Sequence, residues 1–458
     1  MTRPNVLLIV IDSARAHHFS CYGYDLPTTP NIDRLAAEGV RFGAAYSESS
    51  WTLPACFSLL TGLAPREHMA ESVRTLPAGI PCLPEVLQRR GYATFGASGN
   101  AFFGPRTDLD RGLATFQSTP QTGFWTQAFY RYGPQRVGWT DFGGRWTTGR
   151  FLEWVSRAQQ PWFGVLWYNE PHHPYSARQP FTTRFLRRRM SVLRRLSLVR
   201  RMRRMLSLAP VATADDLTDM TGLYDGCLGY ADHLCGLVRE GLERGRQWDN
   251  TAVVVVADHG EMLGERGLLG HGRAADMYRP LVRVPLVVRA PGSLEGGRAS
   301  EALVQLADVA YTLAALAGAE GHLAPTAAWR IDLREAASGR GRTAAISERA
   351  PMGEHSVLSA KRKSPEFDFA PHLCHMTSVL RDGWRLIHRG DGRHELYDLG
   401  ADPNEERDLA AAEPARLAEL VGIVEDWRAR ALPHPSTEKL EKRDEAIVEK
   451  RLQDLGYF

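Results

Sequence analysis

The sequence predicts an α/β fold: a large mixed, mostly parallel sheet sandwiched by helices, then a small C-terminal antiparallel α+β subdomain. Three observations carry this. Solid apolar runs such as Asn5–Ile11 (NVLLIVI) and Thr251–Ala257 (TAVVVVA) read as strands buried on both faces. They alternate with helical patterns, as parallel strands joined by crossover helices do. After about residue 370 the texture changes to short alternating strands separated by Asp-Gly turns.

In chain order, Asn5–Ile11 is the first strand. Its apolar run stops at Asp12, too short to span a membrane, and no small-residue cleavage site follows. Asn31–Glu38 is a helix. Trp51–Gly62 (WTLPACFSLLTG) opens another, with Pro54 in its first turn. Leu83–Arg90 is a helix and Ala93–Ala97 the strand after it. Phe163–Tyr168 is a strand of aromatic and β-branched residues, Leu217–Arg244 a long helix, Thr251–Ala257 the strongest strand, and Pro285–Arg289 a further one. In SVLRDGWRLIHRGDGRHELYDL the turn signals Asp382-Gly383 and Asp391-Gly392 mark an antiparallel meander, and a charged helix runs from Glu413 onward. The expected division is a catalytic domain over 1–370, with an Arg-rich helical insertion at about 181–208, and a C-terminal subdomain over 371–458.

The 458 residues are 43% hydrophobic and 24% charged, a globular composition. Fifty-six basic residues face 53 acidic ones, so no specific nucleic-acid partner is expected from charge. No stretch reaches the ~18 apolar residues of a membrane span. Cys21, Cys56, Cys82, Cys227, Cys235 and Cys374 show no CxxC pairing or regular spacing, which reads as reduced thiols in a cytoplasmic protein.

Parallel sheets bind ligands beyond the carboxyl ends of their strands. Four features fall there: Asp12, Asp258-His259, His172 in NEPHHPY, and Asn100 in ASGNAFFG. Each alone reads equally well as a cap or a loop residue. Together with the hydroxyl of Thr52, the two Asp and one His form an oxygen and nitrogen donor set suited to a divalent cation.

The stretches NVLLIVIDSARAHHFSCYGY, TTPNIDRLAAEGVRFGAAYSESSWTLPACFSLLTG, LWYNEPHHPY, VVVADHGEMLGERGLLGHG and WRLIHRGDGRHELYDLGADP resemble, in order, the sulfatase family of the alkaline phosphatase superfamily. The resemblance implies an alkaline phosphatase-like fold. Several sulfate-specific positions depart from the pattern. Sulfatases mature a cysteine of a C-x-P-S-R motif to formylglycine; here that slot holds Thr52, and the motif's Arg is Cys56. The Lys and His of GKWHLG become Asn100 and Phe102, the second Asp of the first-strand pair becomes Ser13, and the Lys after the DHG segment becomes His271.

What remains resembles the superfamily's threonine-nucleophile phosphoryl enzymes and, in its single-metal ligand set, the phosphonate monoester hydrolases, although the latter keep formylglycine. The resemblance implies Asp12, Thr52, Asp258 and His259 as metal ligands and Thr52 as a nucleophile attacking a small anionic ester. It implies Asn100 as a donor to a non-bridging phosphoryl oxygen. His172 and His271 are left to bind phosphoryl oxygens or to protonate the leaving group. No Asp-x-x-x-His pair precedes the DHG strand, so one metal is expected: Mn²⁺ or Zn²⁺ on the strength of the His donor, with Ca²⁺ and Mg²⁺ left open. Transfer to an acceptor alcohol and true sulfate ester hydrolysis are the alternative reactions, and a non-catalytic scaffold the alternative class.

Arg184–Leu206 holds ten arginines and no acid, with Val192, Leu196, Val199, Met202 and Leu206 at helical spacing. It reads either as a solvated helix docked by that apolar face, as a lid, or as a surface (Arg184–Arg204) for anionic membrane or another polyanion. Phe124, Trp125, Tyr130, Trp139 and Trp146 either clasp a leaving group or form a satellite core. A homo-oligomer is compatible with the sequence.

Overall fold

The computed structural model describes residues 3–70, 75–119, 141–205, 212–271, 276–323, 330–351 and 373–430. Phe124, Trp125, Tyr130, Trp139 and Leu206 lie outside them, as do the side chains of Arg203 and Arg204. Among the described residues, eight strands form the main sheet: β1 Asn5–Ile11, β2 Val40–Phe42, β3 Ala93–Ser98, β4 Thr115–Ser118, β5 Trp162–Tyr168, β6 Thr251–Val256, β7 Leu286–Arg289 and β8 Arg298–Ser300. Their spatial order is β8-β2-β7-β6-β1-β5-β3-β4.

β1, β5 and β6 are buried along their whole length because helices cover both faces, as their unbroken apolar runs require. β7 alone runs against the others, pairing antiparallel with β6 and β2, which makes the sheet mixed. The register puts Val10 opposite both Trp167 and Val256. Two residues further on, Asp12 and Asp258 therefore leave the same sheet edge side by side.

The helices used below are α1 Pro30–Glu38, α2 Thr52–Thr61, α3 Leu83–Arg89, α4 Gly144–Val155, α5 Val192–Met205, α6 Ala214–Arg244, α7 Leu306–Leu316 and α8 Pro414–Arg430. Every residue of α2 is buried, so it is a core helix without a solvent face, and Gly62 ends it at φ 70°. Trp146, on α4, is half-buried.

A second sheet is antiparallel: β9 Ala345–Arg349, β10 Met376–Arg381, β11 Trp384–Arg389 and β12 Glu395–Asp398. Its first strand thus comes from before residue 371. The β10–β11 hairpin turns on Asp382 and Gly383, both at positive φ, as a tight two-residue connection demands. One face packs Ile346, Val379, Leu386 and Leu396 against Leu420, Val424 and Trp427 of α8. The other sets Met376, Leu380 and Ile387 against Met262, Met277 and Leu281 of the connection between β6 and β7, fastening the second sheet beside the edge from which Asp12 and Asp258 leave. No described helix is long and apolar enough to cross a membrane.

Candidate active site

Asp12 and Asp258 follow β1 and β6 directly, and both are completely buried. Oδ1 of Asp258 accepts from the backbone N–H groups of Ser13 (3.1 Å) and His259 (2.9 Å). Its Oδ2 has no hydrogen-bond partner among the described residues and lies 3.3 Å from His259 Nε2. Nδ1 of His259 donates to the carbonyl of Gly260 at 2.8 Å, which leaves Nε2 as the lone-pair nitrogen turned into the site. That nitrogen is 3.0 Å from Thr52 Oγ1 and 3.9 Å from Asp12 Oδ1. Thr52 is the first residue of α2, where free backbone N–H groups favour an anion.

Burial penalises every charge here. It pushes the Asp258 carboxyl well above its usual range, reinforced by the neighbouring Asp12, and lowers His259 to about 4. Cys56, one turn along α2 from Thr52, is raised by burial and then by Asp258 and Asp12. Two facing carboxylates, a neutral imidazole nitrogen and an orphaned buried oxygen fit a divalent cation. Ligand atoms of Asp12, Asp258 and His259 all lie within 4.8 Å of one another.

The other expected residues surround this cluster. The His271 ring centre is 4.2 Å from that of His259 and 4.9 Å from that of His172. Burial, followed by His259, His172, His173 and Arg349, holds His271 well below the ordinary histidine range. Nδ1 of His172 donates to the carbonyl of His173 at 2.9 Å. Asn100 reaches the site, but its amide nitrogen donates to Asp12 Oδ2 and its Oδ1 accepts from the N–H of Phe102 at 2.7 Å. In this structure it braces a carboxylate, together with Trp167 Nε1 at 3.3 Å from the same oxygen.

Two residues escaped the sequence reading. Glu261, fully buried, places Oε1 3.0 Å from His271 Nδ1 and so turns Nε2 of that ring away from itself. Its position in DHGE, two residues beyond His259, was the available signal. Arg349, the last residue of β9, donates to Ser50 Oγ at 3.3 Å, and its charge helps to depress both His259 and His271. No motif marks it. It brings a guanidinium to a site where the motif arginine and both lysines of the sulfatase pattern are replaced.

The Arg-rich segment is seated on α6 by charge. Arg194 bonds Asp216 (2.7 Å) and Asp219 (2.8 Å), Arg201 bonds Asp216 (2.6 Å), and Arg188 bonds Asp215 (3.0 Å) and Asp219 (3.2 Å). The apolar face expected from spacing is seated except at its first residue. Leu198, Val199 and Met202 are buried and Leu196 half-buried, but Val192 is exposed.

Comparison with known proteins agrees with this architecture. The chain is 28% identical over 437 residues to the uncharacterized sulfatase YidJ of Escherichia coli (strain K12), covering 89% of this chain and 83% of that protein. It is 25% identical over 450 residues to a choline-sulfatase of Rhizobium meliloti (strain 1021), covering 89% and 82%. The structure of a phosphonate monoester hydrolase from Silicibacter pomeroyi superposes with a TM-score of 0.74 at 22% identity, covering 94% of this chain and 96% of that one. The family model described as Sulfatase matches residues 4–319, most of the chain, with Asp12, Thr52, Asp258 and His259 inside the match. The chain belongs to the sulfatase family.

Proposed function

We propose that this sulfatase-family protein hydrolyses a phosphodiester, or a phosphate or phosphonate monoester, with Thr52 as nucleophile. The observation that carries the reading is the seat of Thr52 Oγ1, buried at the head of α2 and 3.0 Å from His259 Nε2, where the family's formylglycine belongs. A divalent cation held by Asp12, Asp258 and His259, with Thr52 as fourth donor, would supply Lewis acidity and lower the pKa of a bound hydroxyl. Mn²⁺ and Zn²⁺ suit the imidazole donor better than Ca²⁺ or Mg²⁺.

As Oγ1 attacks phosphorus its proton passes to the unprotonated Nε2 of His172 or His271, the bond to the leaving oxygen breaks, and the same imidazole returns that proton to the leaving oxygen. Arg349 and the N-terminus of α2 hold the non-bridging oxygens. Water then cleaves the phospho-Thr52 ester. Threonine favours phosphorus over sulfur because a sulfated threonine has no elimination route of the kind a formylglycine hydrate supplies. Sulfate ester hydrolysis is the second reading, favoured by the names of the curated relatives.

The test is turnover of bis-p-nitrophenyl phosphate, p-nitrophenyl phosphate, a p-nitrophenyl phosphonate and p-nitrophenyl sulfate by protein loaded with Mn²⁺ or Zn²⁺, beside Thr52→Ala. Phosphoryl turnover that falls by ~10³-fold or more in the mutant supports the reading. Sulfate turnover dependent on Thr52 overturns it. Metal binding without turnover, followed by turnover once an acceptor alcohol is added, replaces hydrolysis with transfer.

A further inference from the structure

Four large hydrophobic residues are exposed among the described residues: Leu26, Val192, Leu193 and Leu373. Two of them are neighbours at the start of α5, where Val192 is 57% and Leu193 80% exposed. The helix has two distinct faces. Arg195, Leu198, Val199 and Met202, at successive helical spacings, are buried against the domain. Leu193, Ser197 and Arg200 form the opposite, outward stripe.

The segment's charge is divided in the same way. Arg188, Arg194 and Arg201 are tied to Asp215, Asp216 and Asp219 of α6, so the nearest carboxylates are already neutralised. Arg195 is 5% exposed and donates to Ser176 Oγ at 3.2 Å, which joins α5 to the loop carrying His172. Arg184, Arg187, Arg189 and Arg200 are exposed and make no ion pair with a described carboxylate.

We propose that the exposed start and outward stripe of α5, with Val192 and Leu193 as an apolar tip and Arg184, Arg187, Arg189 and Arg200 as exposed cations of the same segment, dock on the surface of a bilayer rich in anionic phospholipid. The apolar tip selects lipid over a soluble polyanion. A nucleic acid or sulfated sugar is met by the guanidinium groups alone, whereas two adjacent exposed aliphatic side chains find an apolar phase only beneath lipid headgroups. Neither signal suffices alone. A pair of aliphatic side chains gives marginal insertion, and a few arginines give salt-sensitive attraction, but stable peripheral binding takes both.

Co-sedimentation of the full chain with vesicles of phosphatidylcholine, with and without phosphatidylglycerol, tests this. Binding is expected only to the mixed vesicles, falling as salt is raised. Leu193→Ser weakens it about ten-fold, and Arg200→Gln about five-fold. Both positions face solvent, so the melting temperature and basal turnover of each variant stay at the wild-type value. Absence of binding to mixed vesicles overturns the inference, as does equal binding to phosphatidylcholine alone. Leu193→Ser that binds vesicles and heparin as well as the wild type overturns it in favour of a general polyanion surface.

Discussion

Oδ2 of Asp258 and Nε2 of His259 face each other across 3.3 Å, the first with no hydrogen-bond partner among the described residues and the second turned inward by its own Nδ1–H bond to Gly260. A buried acceptor opposite another acceptor is unfavourable in a protein without a cation. Asp258→Asn therefore acts with opposite signs in the two states. In chelated protein it removes one of two facing buried carboxylates and leaves stability equal or higher. In metal-loaded protein it removes a ligand, and with it stabilisation worth about 4 kcal/mol at a metal concentration a thousand times Kd. Thermal melts of both proteins, with EDTA and with Mn²⁺ or Zn²⁺, check this. A variant equally destabilised in both conditions would show that Asp258 is structural only.

Glu261 acts through His271. Its Oε1, 3.0 Å from Nδ1, fixes the ring so that Nε2 points elsewhere. Glu261→Gln keeps an acceptor at that place and is expected to retain most activity, whereas Glu261→Ala frees the ring. The loss in the alanine variant should depend on the leaving group: ~10²-fold for an alkyl ester, whose alkoxide needs a proton, and much less for p-nitrophenolate, which does not. An equal loss on both esters would remove His271 as the proton donor.

Arg349 is the cation that the motif positions lack. Its bond to Ser50 brings a charge close in sequence to Thr52, where the proposed reaction calls for one. Arg349→Gln is expected to raise KM ~10- to 100-fold, the worth of one charge-assisted hydrogen bond, with a smaller change in kcat. Steady-state kinetics on a phosphodiester and a phosphomonoester separate the two constants, with the dianionic monoester losing more. An unchanged KM would confine Arg349 to bracing Ser50.

The strand ends were legible because each apolar run stops abruptly at a polar residue. Asp12, Asp258 and His259 converge as the spacing and resemblance imply, and the Val10–Val256 register is the physical reason. The direction of β7 was not legible, since three apolar residues and an arginine carry no sign of which way they run. Arg349 was hidden for another reason: its strand joins a sheet whose other strands lie more than twenty residues further on, and nothing local marks its last residue as reaching Ser50. Spacing found most of the buried face of α5 but not that its first residue, Val192, is exposed. A pattern within one segment cannot show that carboxylates on α6 decide how that segment is turned.

Glu48 makes the fold pH-sensitive away from the chemistry. It lies in a small cavity with Glu67, Gln305, Arg330, Arg342 and Trp427, where the main domain meets the second sheet and α8. Arg342 would neutralise it but is bound to Asp308 through Nε (2.8 Å) and Nη2 (2.6 Å). Glu48 receives one backbone N–H, from Ala307 at 2.9 Å, and burial raises its pKa to about 8. Between its ordinary value of 4.5 and about 8 the unfolded chain is ionised at this residue while the folded chain keeps the proton, so stability falls as pH rises through that window. His68, buried and lowered to about 3, works the other way: its share is complete above 6.5 and is lost as pH falls towards 3. The Glu48 effect is therefore cleanest between about pH 6.5 and 8, where His68 no longer changes. Glu48→Gln keeps the acceptor for Ala307 and removes the titration. Its melting temperature should gain on the wild type as pH rises from 6.5 to 8, by the equivalent of roughly 1 to 2 kcal/mol. Parallel melting curves for the two proteins across that range would mean that Glu48 is already ionised in the fold, with Arg342 serving both carboxylates.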